Sequence, residues 1–163
     1  MAKNKQSINC EFEVFDSVEE LSNEDRSLIE QAIQNTKASH SPYSNFKVGA
    51  AIKLESGKVV NGANQENKAF PSGLCAERVA MFSAAAQNPN DPFVKLAISA
   101  KSPSEELDEP VSPCGDCRQV MAEYTNKFGQ PFELLLYGET GKVFRFNSAT
   151  DLLPLIFSFD FHN

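Results

Sequence analysis

Three cysteines and one glutamate stand at a spacing that can hold a metal ion beside a proton-transfer group. Cys114-Gly-Asp-Cys117 sets two thiols one helical turn apart, and Cys75, far upstream, is followed two residues later by Glu77. Zinc takes thiolate and imidazole ligands in a tetrahedron, and a catalytic zinc keeps one position open for water. Both cysteine motifs fall at expected helix starts, where the partial positive charge of the helix end favours the thiolate form. Glu77 lies on a different face of its helix from Cys75, so it can reach the open position rather than serve as a ligand. A C-x-x-C pair alone equally suits a redox couple, half of a structural zinc site or two buried thiols. A redox couple needs no third distant cysteine, and a four-ligand structural site finds no obvious fourth partner in Cys10. His40 sits in a turn and His162 near the end of the chain, contexts in which a histidine is usually solvated.

Context strengthens the catalytic reading. Cys75-Ala-Glu77 and Pro113-Cys114-Gly-Asp-Cys117 are the two halves of the zinc nucleobase deaminase signature in its three-cysteine version, where the glutamate moves protons. Three thiolates carry more negative charge than zinc neutralises, which opposes ionising a zinc-bound water. Arg78, beside Glu77, and Arg118, beside Cys117, are placed to draw charge off the sulfurs.

The elements that must position these residues follow from pattern. Residues 19–38 carry Leu21, Leu28, Ile29, Ala32 and Ile33 at helical spacing, with Ser22 or Asn23 as N-cap. SHSPYSN is turn chemistry. FKVGAAIKLE and KVVNGAN read as a hairpin, residues 72–87 as an alanine-rich helix, and 93–100 as a third strand. A polar, proline-interrupted loop over 101–112 leads to a helix over 113–127, opened by proline. PFELLLYG and KVFRFN add two strands, and DLLPLIF is expected to form a short final helix. Strands alternating with helices imply a layered α/β domain with a mixed sheet, here of five strands.

With 163 residues the chain is expected to form a single domain over 1–163, large enough to bury a core without disulfides. The first 20 residues are read as an extension of uncertain order. No apolar run is long enough to span a bilayer and no leader is evident, so a cytoplasmic protein without membrane attachment is expected. A net charge of −7 with scattered lysines and arginines argues against a nucleic acid polymer as partner.

From about Ser41 to Phe157 the chain resembles the small homotetrameric cytidine deaminases with all-cysteine zinc sites. The matching segments are SPYSNFKVGAA, NQEN with KAFPSGLCAER, SPCGDCRQVMAEY and DLLPLIF. The resemblance implies a three-layer α/β/α sandwich, one zinc per subunit held by Cys75, Cys114 and Cys117, and Glu77 as the catalytic acid and base. It implies zinc-dependent hydrolysis of free cytidine and 2'-deoxycytidine to uridine and 2'-deoxyuridine plus ammonia. It further implies substrate contacts from Phe46 near the pyrimidine, from Asn64 and Glu66 at the ribose, from the backbone near Ala76, and from Phe157 reaching a neighbouring subunit's site. Three positions depart from the pattern: Gln65 replaces an apolar residue, Lys68 a small one, and Phe70 a residue often tyrosine. Another amino-heterocycle, such as a nucleoside antibiotic or a nucleotide, is the alternative substrate, and Lys68, a cation near the sugar's 5' end, keeps the nucleotide open. A zinc-stabilised binding module without turnover is the alternative from another class.

Overall fold

The computed structural model describes residues 4–157. The strands are β1 (Glu13–Phe15), β2 (Lys47–Leu54), β3 (Val59–Ala63), β4 (Phe93–Lys101), β5 (Glu133–Tyr137) and β6 (Val143–Phe146). The helices are α1 (Asn23–Asn35), α2 (Ala76–Gln87) and α3 (Gly115–Phe128). All strands join one sheet in the spatial order β1-β6-β5-β4-β2-β3. β4 and β5 are parallel, with α3 in the connection between them, and the other neighbours are antiparallel.

Alternation along the strands builds two cores. Ala51, Ala97 and Leu135 face Leu28, Ile29 and Ala32 of α1. Ala50, Ile52, Leu96, Ile98, Leu134 and Leu136 face the other way, onto Ala80, Met81 and Ala84 of α2 and Cys117 and Met121 of α3. The result is the expected α/β/α sandwich, with α1 on one face and α2 and α3 on the other. Two glycines set the spacing of the layers. A Cβ at Gly49 would lie 2.0 Å from the Ala32 carbonyl oxygen of α1. One at Gly62 would lie 2.5 Å from both the Ala76 carbonyl oxygen and the Ala80 nitrogen of α2. Gly62 thus lets β3 lie directly under the first turns of the helix that carries Glu77.

The sheet has six strands rather than five. The extra one, β1, comes from the N-terminal extension and pairs Glu13 with Arg145 and Phe15 with Val143 on β6. Phe12 packs against Phe144 and Phe146 with ring centroids 5.0 Å apart in each case. Residues 11–14 alternate as a strand should, but three paired residues are too few to stand without β6 beside them. DLLPLIF does not become a helix: one 3-10 turn spans Ala149–Leu152 and ends there. Pro154 disfavours helical backbone at Leu153, which takes φ −129° and ψ 78°.

Helix starts also move inward. α1 begins after Ser22, whose hydroxyl accepts from the Asp25 N–H at 3.1 Å. α2 begins at Ala76 rather than Ser72, because Phe70–Ser72 is a separate 3-10 turn, and α3 begins at Gly115 rather than Pro113. The shift makes Cys75 and Cys114 the N-cap residues of α2 and α3. Among the described residues no helix is long and apolar enough to cross a membrane.

Candidate active site

The N-termini of α2 and α3 meet over one end of a cavity of about 470 Å³. Cys75 and Cys114 hold extended backbone with ψ of 154° and 168°, and neither sulfur caps its own helix. Both sulfurs turn toward each other instead, 3.8 Å apart, and the Cys114 and Cys117 sulfurs are 3.5 Å apart. All three lie within 4.8 Å of one another. These gaps are far longer than the ~2.05 Å of a disulfide. Tetrahedral zinc with bonds of about 2.3 Å would separate its sulfurs by about 3.8 Å, so the donor set fits that metal in both chemistry and spacing. His40 is exposed and stands outside this group, Cys10 is exposed, and His162 lies outside the described residues.

The surroundings favour the thiolate at Cys75. The hydrogen bond from Cys117 is the main cause and the Arg78 guanidinium adds to it; together they hold Cys75 down to about 5 against the opposing effect of burial. The same contact pushes the Cys117 thiol up, and burial acts in the same direction. Arg78 Nη2 lies 3.6 Å from the Cys75 sulfur, and its Nη1 lies 3.9 Å from the carboxylate of Asp116, the residue between the paired cysteines. Arg118 is used differently from expectation. Its Nε donates to the Pro113 carbonyl at 2.8 Å and its Nη1 to the Leu152 carbonyl at 2.9 Å. It ties the start of α3 to the C-terminal turn, because the helix carries its side chain away from the sulfurs.

Glu77 is 5% exposed and faces the cavity beside Cys75. Burial, and then the neighbouring Cys75 charge, raise its pKa above the ordinary carboxylate range. A carboxyl so placed takes up and releases a proton more readily near neutral pH than an exposed one.

The other end of the cavity holds Asn64 and Glu66. The Asn64 side-chain oxygen accepts from Ser39 Oγ at 2.6 Å and from the Val48 N–H at 2.8 Å, and its Nδ2 donates to the Phe46 carbonyl at 2.9 Å. One amide hydrogen remains for a ligand. The Glu66 carboxylate accepts from Ser44 Oγ at 2.5 Å and from the Tyr43 and Ser44 N–H groups at 2.9 and 3.3 Å. The Ser44 hydroxyl first, then the Tyr43 amide, hold its pKa below the usual range. Phe46, half-buried, lines the wall between the two ends.

Cys75, Cys114, Glu77, Arg78, Phe46, Asn64 and Glu66 therefore share one cavity, with Cys117 buried behind the other two sulfurs. Ala76 is fully buried under Gly62 and does not line the cavity. Phe157 is 78% exposed and lies outside it, with its carbonyl accepting from Gln119 at 3.1 Å. Gln65 and Phe70 line the rim, where Phe70 meets Tyr43 edge-on at 6.4 Å; Lys68 is exposed and outside. Ile98, Ala100 and Val111 line the cavity unannounced by any motif. The clamp of Tyr43 and Ser44 on Glu66 was also missed: SPYSN signalled a turn, but not a partner 22 residues away.

The family model described as the cytidine and deoxycytidylate deaminase zinc-binding region matches residues 22–128. The chain is 37% identical over 131 residues to a cytidine deaminase of Halalkalibacterium halodurans, spanning 80% of this chain and 92% of that one. It is 42% identical over 99 residues to a cytidine deaminase of Sporosarcina psychrophila, spanning 61% and 68%. The crystal structure of cytidine deaminase from Burkholderia pseudomallei superposes with a TM-score of 0.69 at 39% identity, covering 84% of this chain and 100% of that one.

Proposed function

The chain belongs to the cytidine and deoxycytidylate deaminase family, and we propose that it hydrolyses free cytidine and 2'-deoxycytidine to uridine and 2'-deoxyuridine with release of ammonia. One observation carries this reading: a three-sulfur metal site with a buried carboxyl closes one end of a cavity whose other end offers an amide and a carboxylate. Cys75, Cys114 and Cys117 would hold one zinc per subunit, which when bound supplies water ionised near neutral pH. The remaining work falls to the chain's own residues. Glu77 takes a proton from the water that adds to C4 of cytosine and delivers it to ring N3. It then carries the proton of the new hydroxyl to the departing amino group, so that ammonia leaves neutral. Arg78 offsets the negative charge on the Cys75 sulfur. Phe46 packs against the pyrimidine, and the free Asn64 N–H with the remaining Glu66 lone pairs engages the sugar hydroxyls.

Charge favours a free nucleoside over a nucleotide. Among the described residues the only cation lining the cavity is Arg78, already turned to Cys75 and Asp116, while Glu66 would repel a phosphate. The whole chain is read as one domain that works in the cytoplasm as a homotetramer. The exposed Leu155 and Phe157 support this, being 89% and 78% accessible on the isolated subunit and free to enter a neighbour's site.

Absorbance assays across cytidine, deoxycytidine, their monophosphates, cytosine and adenosine, with metal analysis alongside, test the proposal. Turnover confined to cytidine and deoxycytidine, with stoichiometric zinc, is expected. Stoichiometric zinc without turnover of any substrate in the panel would make the chain a binding module instead.

A further inference from the structure

A second cavity, of about 410 Å³, lies across the sheet from the first and is lined by Thr36, Lys37, Lys47, Ser99, Lys101 and Glu139. Strand alternation separates the two. Phe46, Val48 and Ile98 point into the catalytic cavity, whereas Lys47, Ser99 and Lys101 point into this one. Ala100 touches both, so the sheet alone stands between them.

The charge here runs against the rest of the molecule. The chain carries −7 overall, yet three lysines and one glutamate line this cavity, a formal excess of two positive charges. Glu139 pairs with Lys101 at 2.9 Å. Among the described residues, Lys37 and Lys47 enter no ion pair. Lys37 lies in the 3-10 turn that follows α1, where helix carbonyls favour a cation, but Lys47 and Lys101 are on strands and no such field places them. The Thr36 and Ser99 hydroxyls each donate to a backbone carbonyl at 2.8 Å, Ile33 and Gly138 respectively. Both residues are buried, at 7% and 2% exposed, and each oxygen keeps acceptor capacity at the cavity floor. Ile33, 37% exposed, adds an apolar wall. Ammonium groups suit a phosphate, acceptors suit a sugar or a base, an apolar wall suits a ring, and the volume is that of a small-molecule site.

We propose that this cavity binds a phosphorylated small molecule of nucleotide size, independently of the catalytic cavity. Calorimetric titration of the zinc-loaded protein with AMP, with inorganic phosphate and with adenosine tests it. AMP should bind saturably, and more weakly as salt is raised. Phosphate should bind less tightly than AMP, and adenosine should not bind. The double variant Lys37→Ala with Lys47→Ala should weaken AMP binding about fivefold or more, with an unchanged melting temperature showing that it folds. The single Lys37→Ala, on an exposed turn, serves if the double variant does not fold. No saturable AMP binding, or binding unaffected by these substitutions, would overturn the proposal. Phosphate binding as tightly as AMP would remove the nucleotide, and displacement of AMP by cytidine would return it to the catalytic cavity. The saturation, salt and lysine-variant outcomes do not depend on whether cytidine is the substrate; the displacement outcome rests on that reading.

Discussion

The two faces of the sheet each bury ionisable groups, and they treat them in opposite ways. On the α1 face, Lys95 of β4 is ion-paired to Asp25 and lies 3.0 Å from Glu133, while Arg145 stands 3.7 Å from Asp25. Asp25 and Lys95 are 2% and 8% exposed, and their charges answer one another. On the α2 and α3 face, Glu77 is equally buried, but it faces a cavity beside the Cys75 sulfur and, among the described residues, enters no ion pair. Removing a charge from water is costly on both faces. The first face offsets the cost inside the fold and gains a fixed register between α1 and the strands. The second leaves it as a raised carboxyl pKa and a cluster of sulfurs, which is the form in which a fold stores chemistry.

The largest expected effect breaks the second face alone. Glu77→Gln should retain zinc and melting temperature while cytidine turnover falls by about 10²–10⁴ or more, as loss of a positioned acid–base group predicts. Near-normal turnover, read by absorbance, would remove Glu77 from the proton path. Asp25→Ala breaks the other face: it leaves Lys95 with Glu133 alone and should cost about 1–3 kcal/mol in denaturant unfolding, with KM for cytidine unchanged. A change in KM without loss of stability would mean that the two faces are not separable.

Arg78→Ala tests how the anionic sulfurs are held. Zinc affinity should fall about 10-fold or more in chelator competition, the scale typical of groups that support metal ligands. Arg118→Ala should leave zinc affinity unchanged, because its contacts are to Pro113 and Leu152. The smallest effect is one of pH. Burial opposes the Lys95 charge, but hydrogen bonds from it to Asp25 and Glu133 outweigh burial and raise its pKa. A raised lysine pKa contributes stability that is complete below the unfolded value of about 10.4 and fades as pH climbs through the folded one. Wild type should therefore lose its advantage over Lys95→Ala only above about pH 10, in unfolding measured across pH.

The sulfur cluster and the buried Glu77 beside it were legible because their spacing is local. Glu77 follows Cys75 by two positions and Cys117 follows Cys114 by three, and helix starts are marked by residue type. Arg78 was legible for the same reason, its place beside Glu77 bringing it to the Cys75 sulfur. Arg118 sits equally close to a ligand in sequence, but proximity along a helix does not decide direction, and its side chain leaves toward Leu152. β1 alternated plainly, yet a short strand exists only where β6 offers it an edge.

Residue type and near spacing were thus enough to establish the sulfur set, the glutamate, the layered class and most of the helices, since helical pitch and ligand chemistry act over a few bonds. Distances across the sheet belonged to the tertiary structure. Only packing brought Cys75 to Cys114, closed Tyr43 and Ser44 onto Glu66, paired Lys95 with Asp25, and turned Lys47 away from the Phe46 beside it. Each of these joins segments far apart in the chain or selects one face of a strand, and such choices are made when the layers close on their cores.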